Sequence, residues 1–158
     1  MLSSTNEVSK IEEKGIRAVN ILRWDEFTSL CDDLYKKLML KNYDGVISIG
    51  RGGTIVGAIM ASKLGARIYP VFVVHRKEGS DKSTEIVRLG ATTDLKGGQY
   101  LLVDDKCVTG ETFDLLAKAL PNLDLETASL ICREKQYTPD YCALFVDEET
   151  VLPYELPF

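Results

Sequence analysis

The chain has a single histidine, His75, and no C-x-x-C pair among its four cysteines, Cys31, Cys107, Cys132 and Cys142. Zinc-ligand spacing is therefore absent, and four isolated thiols read as reduced, mostly buried residues of a cytoplasmic protein rather than a disulfide framework. An excess of positive charge is also missing. Against 19 Lys and Arg stand 24 Asp and Glu, for a net charge of −5, which argues against a nucleic-acid binder relying on a broad basic face. No apolar run approaches the ~20 residues that a membrane-spanning helix needs. The start, Met1-Leu2-Ser3-Ser4-Thr5-Asn6-Glu7, is polar and acidic where a signal peptide would be basic and then apolar. No repeat or low-complexity tract occurs in the 158 residues. With 45% hydrophobic and 27% charged residues, composition is that of a globular protein, and one domain of this size buries roughly two thirds of its unfolded surface.

What is present centres on Tyr100-Leu101-Leu102-Val103-Asp104-Asp105-Lys106-Cys107-Val108-Thr109-Gly110-Glu111-Thr112. Apolar residues run into two adjacent carboxylates, Thr-Gly-x-Thr follows, and Phe113, Leu115, Leu116, Ala119 and Leu120 then recur at helical spacing. This pattern predicts a buried parallel strand, a tight loop and a helix. Such a loop lies at the carboxyl end of a strand, where open α/β sheets bind ligands. The N–H groups and dipole of the following helix favour phosphate there. Thr109 and Thr112 add hydroxyls, and Gly110 permits close backbone approach. Asp104 and Asp105 would repel phosphate, so they suit ribose hydroxyls or a Mg²⁺ ion carried by the ligand. Phosphate, diol and hard metal together describe a phosphorylated ribose. Neither the Walker nor the dinucleotide glycine pattern fits.

A second unit of the same kind precedes it. Gly45-Val46-Ile47-Ser48-Ile49 reads as a strand, Gly50-Arg51-Gly52-Gly53 as an N–H-rich loop carrying a guanidinium, and residues 54–64 as a helix stopped by Gly65. The loop suits a second anionic group, or simply tight packing of strand on helix. Upstream, Phe27, Leu30, Cys31, Leu34 and Leu38 form the stripe of an amphipathic helix with Asp25 at its N-cap. Residues 67–74 read as a strand. Residues 75–83 look unstructured, and 85–89 form a short exposed strand, so that this segment is either a lid or a variable surface loop. Residues 125–131 and 141–146 give two further strands, which places Arg133 and Lys135 near the ligand edge. The tail from Val151 is apolar and proline-rich, extended and folded back on the body. Residues 1–18 are a charged extension. His75, Lys106 and Cys107 each have an ordinary reading beside a functional one: a polar strand end, a solvated charge and a packing residue.

At the residues just quoted the chain resembles a type I phosphoribosyltransferase, and is most similar to the xanthine–guanine branch. The stretch 100–112 matches that family's signature for phosphoribosyl pyrophosphate (PRPP), and Ile49-Gly50-Arg51-Gly52-Gly53 resembles its pyrophosphate loop. Trp24-Asp25 and Leu152-Pro153-Tyr154-Glu155 are similar to that branch as well. The resemblance implies an α/β type I phosphoribosyltransferase fold: a parallel five-stranded sheet, helices on both faces, and a small hood made from residues 19–25 and 147–158 of a 19–158 domain. It implies transfer of ribose 5-phosphate from PRPP to a purine, with guanine, xanthine or hypoxanthine favoured, release of pyrophosphate, and Mg²⁺ as cofactor. The catalytic candidates are Asp104, Asp105 and Arg51, with both aspartates also holding the metal. Asp104, Asp105, Lys106, Cys107, Val108, Thr109, Gly110, Glu111 and Thr112 would bind PRPP, and Gly50, Arg51, Gly52 and Gly53 the pyrophosphate. Arg133, Lys135 and Leu152 are the base-binding candidates. A homodimer or homotetramer acting on small molecules, with no nucleic acid or membrane, completes the expectation.

Two positions depart from that branch. The residue before Thr-Gly is an aspartate in the 6-oxopurine enzymes, acting as acid/base at the purine, and here it is Val108. Its proton transfer is worth about 10²–10⁴-fold. Aligned on Pro153, the aromatic that stacks on the base is replaced by Glu149. The alternatives are an acceptor such as adenine, or a regulatory PRPP- or nucleotide-binding domain without turnover.

Overall fold

The computed structural model describes residues 19–78, 81–88, 90–133 and 137–157; the charged extension 1–18 lies outside them. The sheet grows from its middle. Strand β2 (Gly45–Ile49) is buried along its whole length, as expected for a parallel strand covered on both faces. It pairs in parallel with β3 (Arg67–Glu78) on one side and with β5 (Gln99–Cys107) on the other. β5 continues to β6 (Asp124–Arg133) and then β7 (Tyr141–Val146), again in parallel. The expected five parallel strands are therefore present, and a sixth, β4 (Asp81–Arg88), joins antiparallel to β3, giving the order β4-β3-β2-β5-β6-β7.

Period-two alternation divides the strand residues between two cores. Val46, Leu101 and Val103 face α1 (Trp24–Leu38) and α2 (Gly50–Leu64), in a core with Phe27, Leu34, Leu38, Val56 and Met60. Ile47, Ile49 and Leu102 face the other way, onto Phe113, Leu116 and Leu120 of α3 (Glu111–Ala119) and the residue after it. Helices thus cover both faces. Burying each large apolar side chain contributes about 1.5–3 kcal/mol, and Phe27, Leu34, Leu38 and Phe113 are all 2% exposed or less.

Three local expectations are corrected. Helix α2 begins at Gly50, a turn earlier than residue 54, because Gly50 adopts φ 62° and turns the chain directly out of β2. The glycine loop is therefore the first turn of a helix. Secondly, Arg23, not Asp25, caps α1, and its N–H donates to the Glu26 carboxylate at 2.8 Å. Thirdly, residues 75–83 belong largely to a hairpin: β3 runs to Glu78 and β4 starts at Asp81. Antiparallel pairing satisfies the backbone there, and charged residues are usual on an edge strand.

The chain ends meet in a separate two-stranded parallel sheet, β1 (Val19–Ile21) with β8 (Glu149–Val151). A 3-10 turn, Pro153–Glu155, follows. The tail folds back as expected, since Leu152 is fully buried in the core of α1 and α2.

Candidate active site

Strand order decides where the site lies. From β2 the chain crosses to β3 on one side, whereas β5 crosses to β6 on the other. The switch point between β2 and β5 leaves a crevice at their carboxyl ends, and the two segments singled out by sequence both open there. A Cβ on Gly53 would sit 2.8 Å from the Val103 carbonyl oxygen and 3.1 Å from the Asp104 Cα. One on Gly52 would overlap the Asp105 carboxylate. Gly53 is therefore needed for α2 to start against the end of β5, while Gly52 leaves room for the Asp105 carboxylate.

The adjacent acids have different surroundings. Asp104 Oδ1 accepts the Asp105 N–H at 2.9 Å. Burial first, then the neighbouring Asp105 charge, holds the Asp104 carboxyl well above the usual carboxylate range. Asp105 Oδ1 accepts the Lys106 N–H at 2.8 Å, and its Oδ2 accepts the Tyr154 hydroxyl at 2.5 Å. Burial, then the Asp105 charge, pushes the Tyr154 hydroxyl up, so it stays protonated as donor. Lys106 Nζ pairs with Glu155 at 2.5 Å, and the same Glu155 oxygen accepts the Leu152 N–H at 2.7 Å. The Pro153–Glu155 turn thus holds consecutive residues of β5. An aromatic cluster anchors it, with the Tyr154 ring 5.7 Å from Phe27 and 6.5 Å from Trp24.

Two cavities adjoin this ridge. One, of about 170 Å³, is walled by Asp104 and residues 106–113. Gly110 caps α3 at φ 78°, and its Cα face lies against the Tyr137 ring, where any Cβ would overlap. Tyr137 in turn stacks on Phe113, with centroids 6.0 Å apart at 24°. Thr109 Oγ1 accepts the Glu111 N–H at 3.4 Å. The second cavity, of about 350 Å³, shares Lys106, Cys107 and Val108 and adds Ile131, Arg133, Val146, Glu148, Glu149 and Thr150. Val108 is 40% exposed between the two. Cys107 is buried, and its contact with the Cys132 thiol is the chief cause that lowers its pKa.

The structure brings Asp104, Lys106, Cys107, Val108, Thr109, Gly110, Glu111 and Thr112 to one cavity and Arg133 to the other. Asp105 faces Gly52 and Tyr154. Arg51 is exposed in the first turn of α2 and lines neither. The Leu152 side chain is in the core, off both cavity walls. Lys135 lies outside the described residues. Sequence reasoning singled out neither Tyr137 nor Thr150, and gave Tyr154 no role beyond its place in a motif similar to the xanthine–guanine branch. The last was findable, because a polar Tyr-Glu pair in an otherwise apolar tail needs partners. The other two carry no local signal.

Among the described residues no group of three or more His, Cys, Asp and Glu could hold a metal ion. A pair of carboxylates with room for ligand oxygens still suits Mg²⁺, which commonly takes one or two protein carboxylates and completes its shell with water and phosphate. The raised carboxyl of Asp104 fits that chemistry, since a cation beside it would offset the like-charge repulsion.

Comparison with known proteins follows the same line. The Phosphoribosyl transferase domain family matches residues 18–155. The xanthine-guanine phosphoribosyltransferase of Chromohalobacter salexigens is 30% identical over 104 residues, covering 66% of this chain and 63% of that one. That of Vibrio parahaemolyticus is 26% identical over 122 residues, covering 77% and 78%. The chain therefore spans just under two thirds of the first of these relatives and over three quarters of the second. Among solved structures, a purine phosphoribosyltransferase from Pyrococcus horikoshii Ot3 superposes with a TM-score of 0.77 at 21% identity, covering 89% of this chain and 97% of the other.

Proposed function

The chain belongs to the phosphoribosyltransferase family, whose chemistry is PRPP-dependent transfer, and from that premise we propose that it moves ribose 5-phosphate from PRPP to a purine. Guanine, xanthine and hypoxanthine are the favoured acceptors, and pyrophosphate is the leaving group. The observation that carries this reading is the pair of adjoining cavities sharing Lys106, Cys107 and Val108. One has the phosphate-cradling loop and an acid, and the other sets Ile131 and Val146 beside Arg133, Glu148, Glu149 and Thr150.

In this reading residues 106–112 hold the 5′-phosphate through amides at the start of α3 and the Thr109 and Thr112 hydroxyls. Asp104 and Asp105 hold the ribose hydroxyls. Gly50, Arg51, Gly52 and Gly53 take the pyrophosphate, with Arg51 free to swing onto it. Asp104 and Asp105 would also hold Mg²⁺, which supplies positive charge against the phosphate oxygens when bound. Pyrophosphate departs from an oxocarbenium-like centre, so positioning and exclusion of water matter more than a protein nucleophile. Arg133 takes an exocyclic oxygen of the base, with Lys135 second and Leu152 contributing backbone only. The chain ends, residues 19–25 and 147–158, form the hood over the base within a 19–158 domain. A homodimer or homotetramer in the cytoplasm completes the proposal, and the four free, buried cysteines support the compartment.

A second reading rests on Val108 and Glu149, which line the acceptor cavity where the branch has an acid and an aromatic. It is a PRPP- or nucleotide-binding regulator, or a transferase for another base such as adenine. One experiment separates them: pyrophosphate release from Mg–PRPP with adenine, hypoxanthine, guanine, xanthine and pyrimidines. Turnover with a 6-oxopurine is the expected result. PRPP binding with no turnover on any base overturns the enzyme reading, and adenine alone overturns the acceptor.

A further inference from the structure

We propose that Thr150 is a specificity-determining residue whose hydroxyl hydrogen-bonds the polar ring edge of the acceptor base and favours one bearing an amino group. The inference rests on the reading that the larger cavity holds the base, and adds a residue that family likeness does not supply.

Thr150 is the middle residue of β8, 4% exposed and paired in register with Asn20. It forms part of the wall of the 350 Å³ cavity, and its Oγ1 is the one buried side-chain nitrogen or oxygen atom without a hydrogen-bond partner among the described residues. A buried hydroxyl without a partner costs stability, and native structures rarely keep one without use. Valine would fill the position with nearly the same shape and without that cost. A hydroxyl can donate and accept. Threonine also has three staggered χ1 positions, so Oγ1 can turn toward a bound molecule without giving up any existing bond.

Charge around the cavity sets which partner it prefers. Arg133 supplies a donor for an exocyclic oxygen, and Glu148 and Glu149 add two carboxylates to the same wall. Lys106, the other cation, is already paired with Glu155. A base with both an oxo and an amino edge matches this set. One with a second oxo group in place of the amino group meets repulsion from the acids. The order expected is guanine first, hypoxanthine second, xanthine last.

The test compares Thr150→Val and Thr150→Ser with the parent, reading kcat/KM for guanine, hypoxanthine and xanthine, Mg–PRPP affinity and thermal melting. Loss of one neutral hydrogen bond predicts that the guanine-to-hypoxanthine ratio falls about tenfold in Thr150→Val, mainly through KM, and is restored in Thr150→Ser. Mg–PRPP affinity is unchanged, and the valine variant melts no lower than the parent. An unchanged ratio, or equal loss on both bases, overturns the proposal. So does a lower melting point, which would show that the hydroxyl has a partner in the free protein. Val146→Trp, at a residue that lines the larger cavity and not the smaller, is the control on the underlying reading. It should raise KM for every base and leave Mg–PRPP binding intact. If it leaves base KM untouched, the cavity is not the acceptor site, whatever Thr150 does.

Discussion

The two cavities meet at Lys106, Cys107 and Val108, and beyond that ridge they are built in different ways. The smaller one is a single length of chain, Asp104 and residues 106–113, bent by one αL glycine at the start of α3. The larger draws on the ends of β5, β6 and β7 and on β8 from the far end of the chain. A phosphate needs amides in a fixed local arrangement, which one loop and one helix terminus can supply. A flat heterocycle needs walls on several sides, and those must come from elements distant in sequence. On the proposed function, the donor half is therefore compact in sequence, and the acceptor half is open to substitution at each separate wall.

The largest test of this contrast is Asp104→Asn with Asp105→Asn. Both changes lie in the donor half, and turnover should drop by at least about 10³-fold. Calorimetry should show Mg–PRPP binding lost. Retained Mg–PRPP affinity would move the sugar site elsewhere. Second, Val108→Asp places an acid at the shared ridge, where 40% exposure makes a charge tolerable. If the acceptor half lacks only a proton acceptor, kcat with 6-oxopurines should rise by about 10²-fold, with PRPP affinity little changed. A fall on every base would show that the ridge is not where the proton moves.

Third, Gly52→Ala forces a methyl group against the Asp105 carboxylate. Alanine is the better helix former by about 1 kcal/mol, so urea denaturation should show near-parent stability. PRPP affinity should still fall about tenfold as Asp105 is displaced. Smallest is Tyr154→Phe, which removes the hydroxyl donating to Asp105 Oδ2 and nothing else. A hydrogen bond to a charged group is worth about 1.5–3 kcal/mol before solvent replaces it. PRPP affinity should weaken by several-fold and base KM less. Combined with Gly52→Ala the two should be sub-additive, since both act on one carboxylate. Full additivity would mean the tail does not work through Asp105.

The elements whose evidence is local were legible in the sequence. The buried run 45–49 and the run 100–103 gave central strands, and the stripe Phe27, Cys31, Leu34 and Leu38 gave α1, with all four residues buried. The acid pair and Thr-Gly-x-Thr located the end of β5, the αL turn and the start of α3, because each requires particular residue types within a few positions. Strands at 67–74 and 85–89 were legible and overlap β3 and β4, but the stretch 75–83 between them was not. Its charged, glycine-containing sequence pairs because two backbones meet at a sheet edge, which no periodicity records.

The sequence by itself determined the α/β class, the two strand–glycine–helix units and the residue types of the loop between β5 and α3, since all of these follow from spacing along one segment. Only the tertiary structure decided what faces them. Strand order placed the crevice between β2 and β5. Chain closure brought Tyr154 onto Asp105 across 49 positions and Glu155 onto Lys106 across the same interval. It also set Tyr137 behind Gly110, and the unpartnered Thr150 hydroxyl in the wall of the larger cavity. Local residue types fix local backbone, but a contact between distant residues depends on how the whole sheet stacks its strands, and that information is spread over the entire chain.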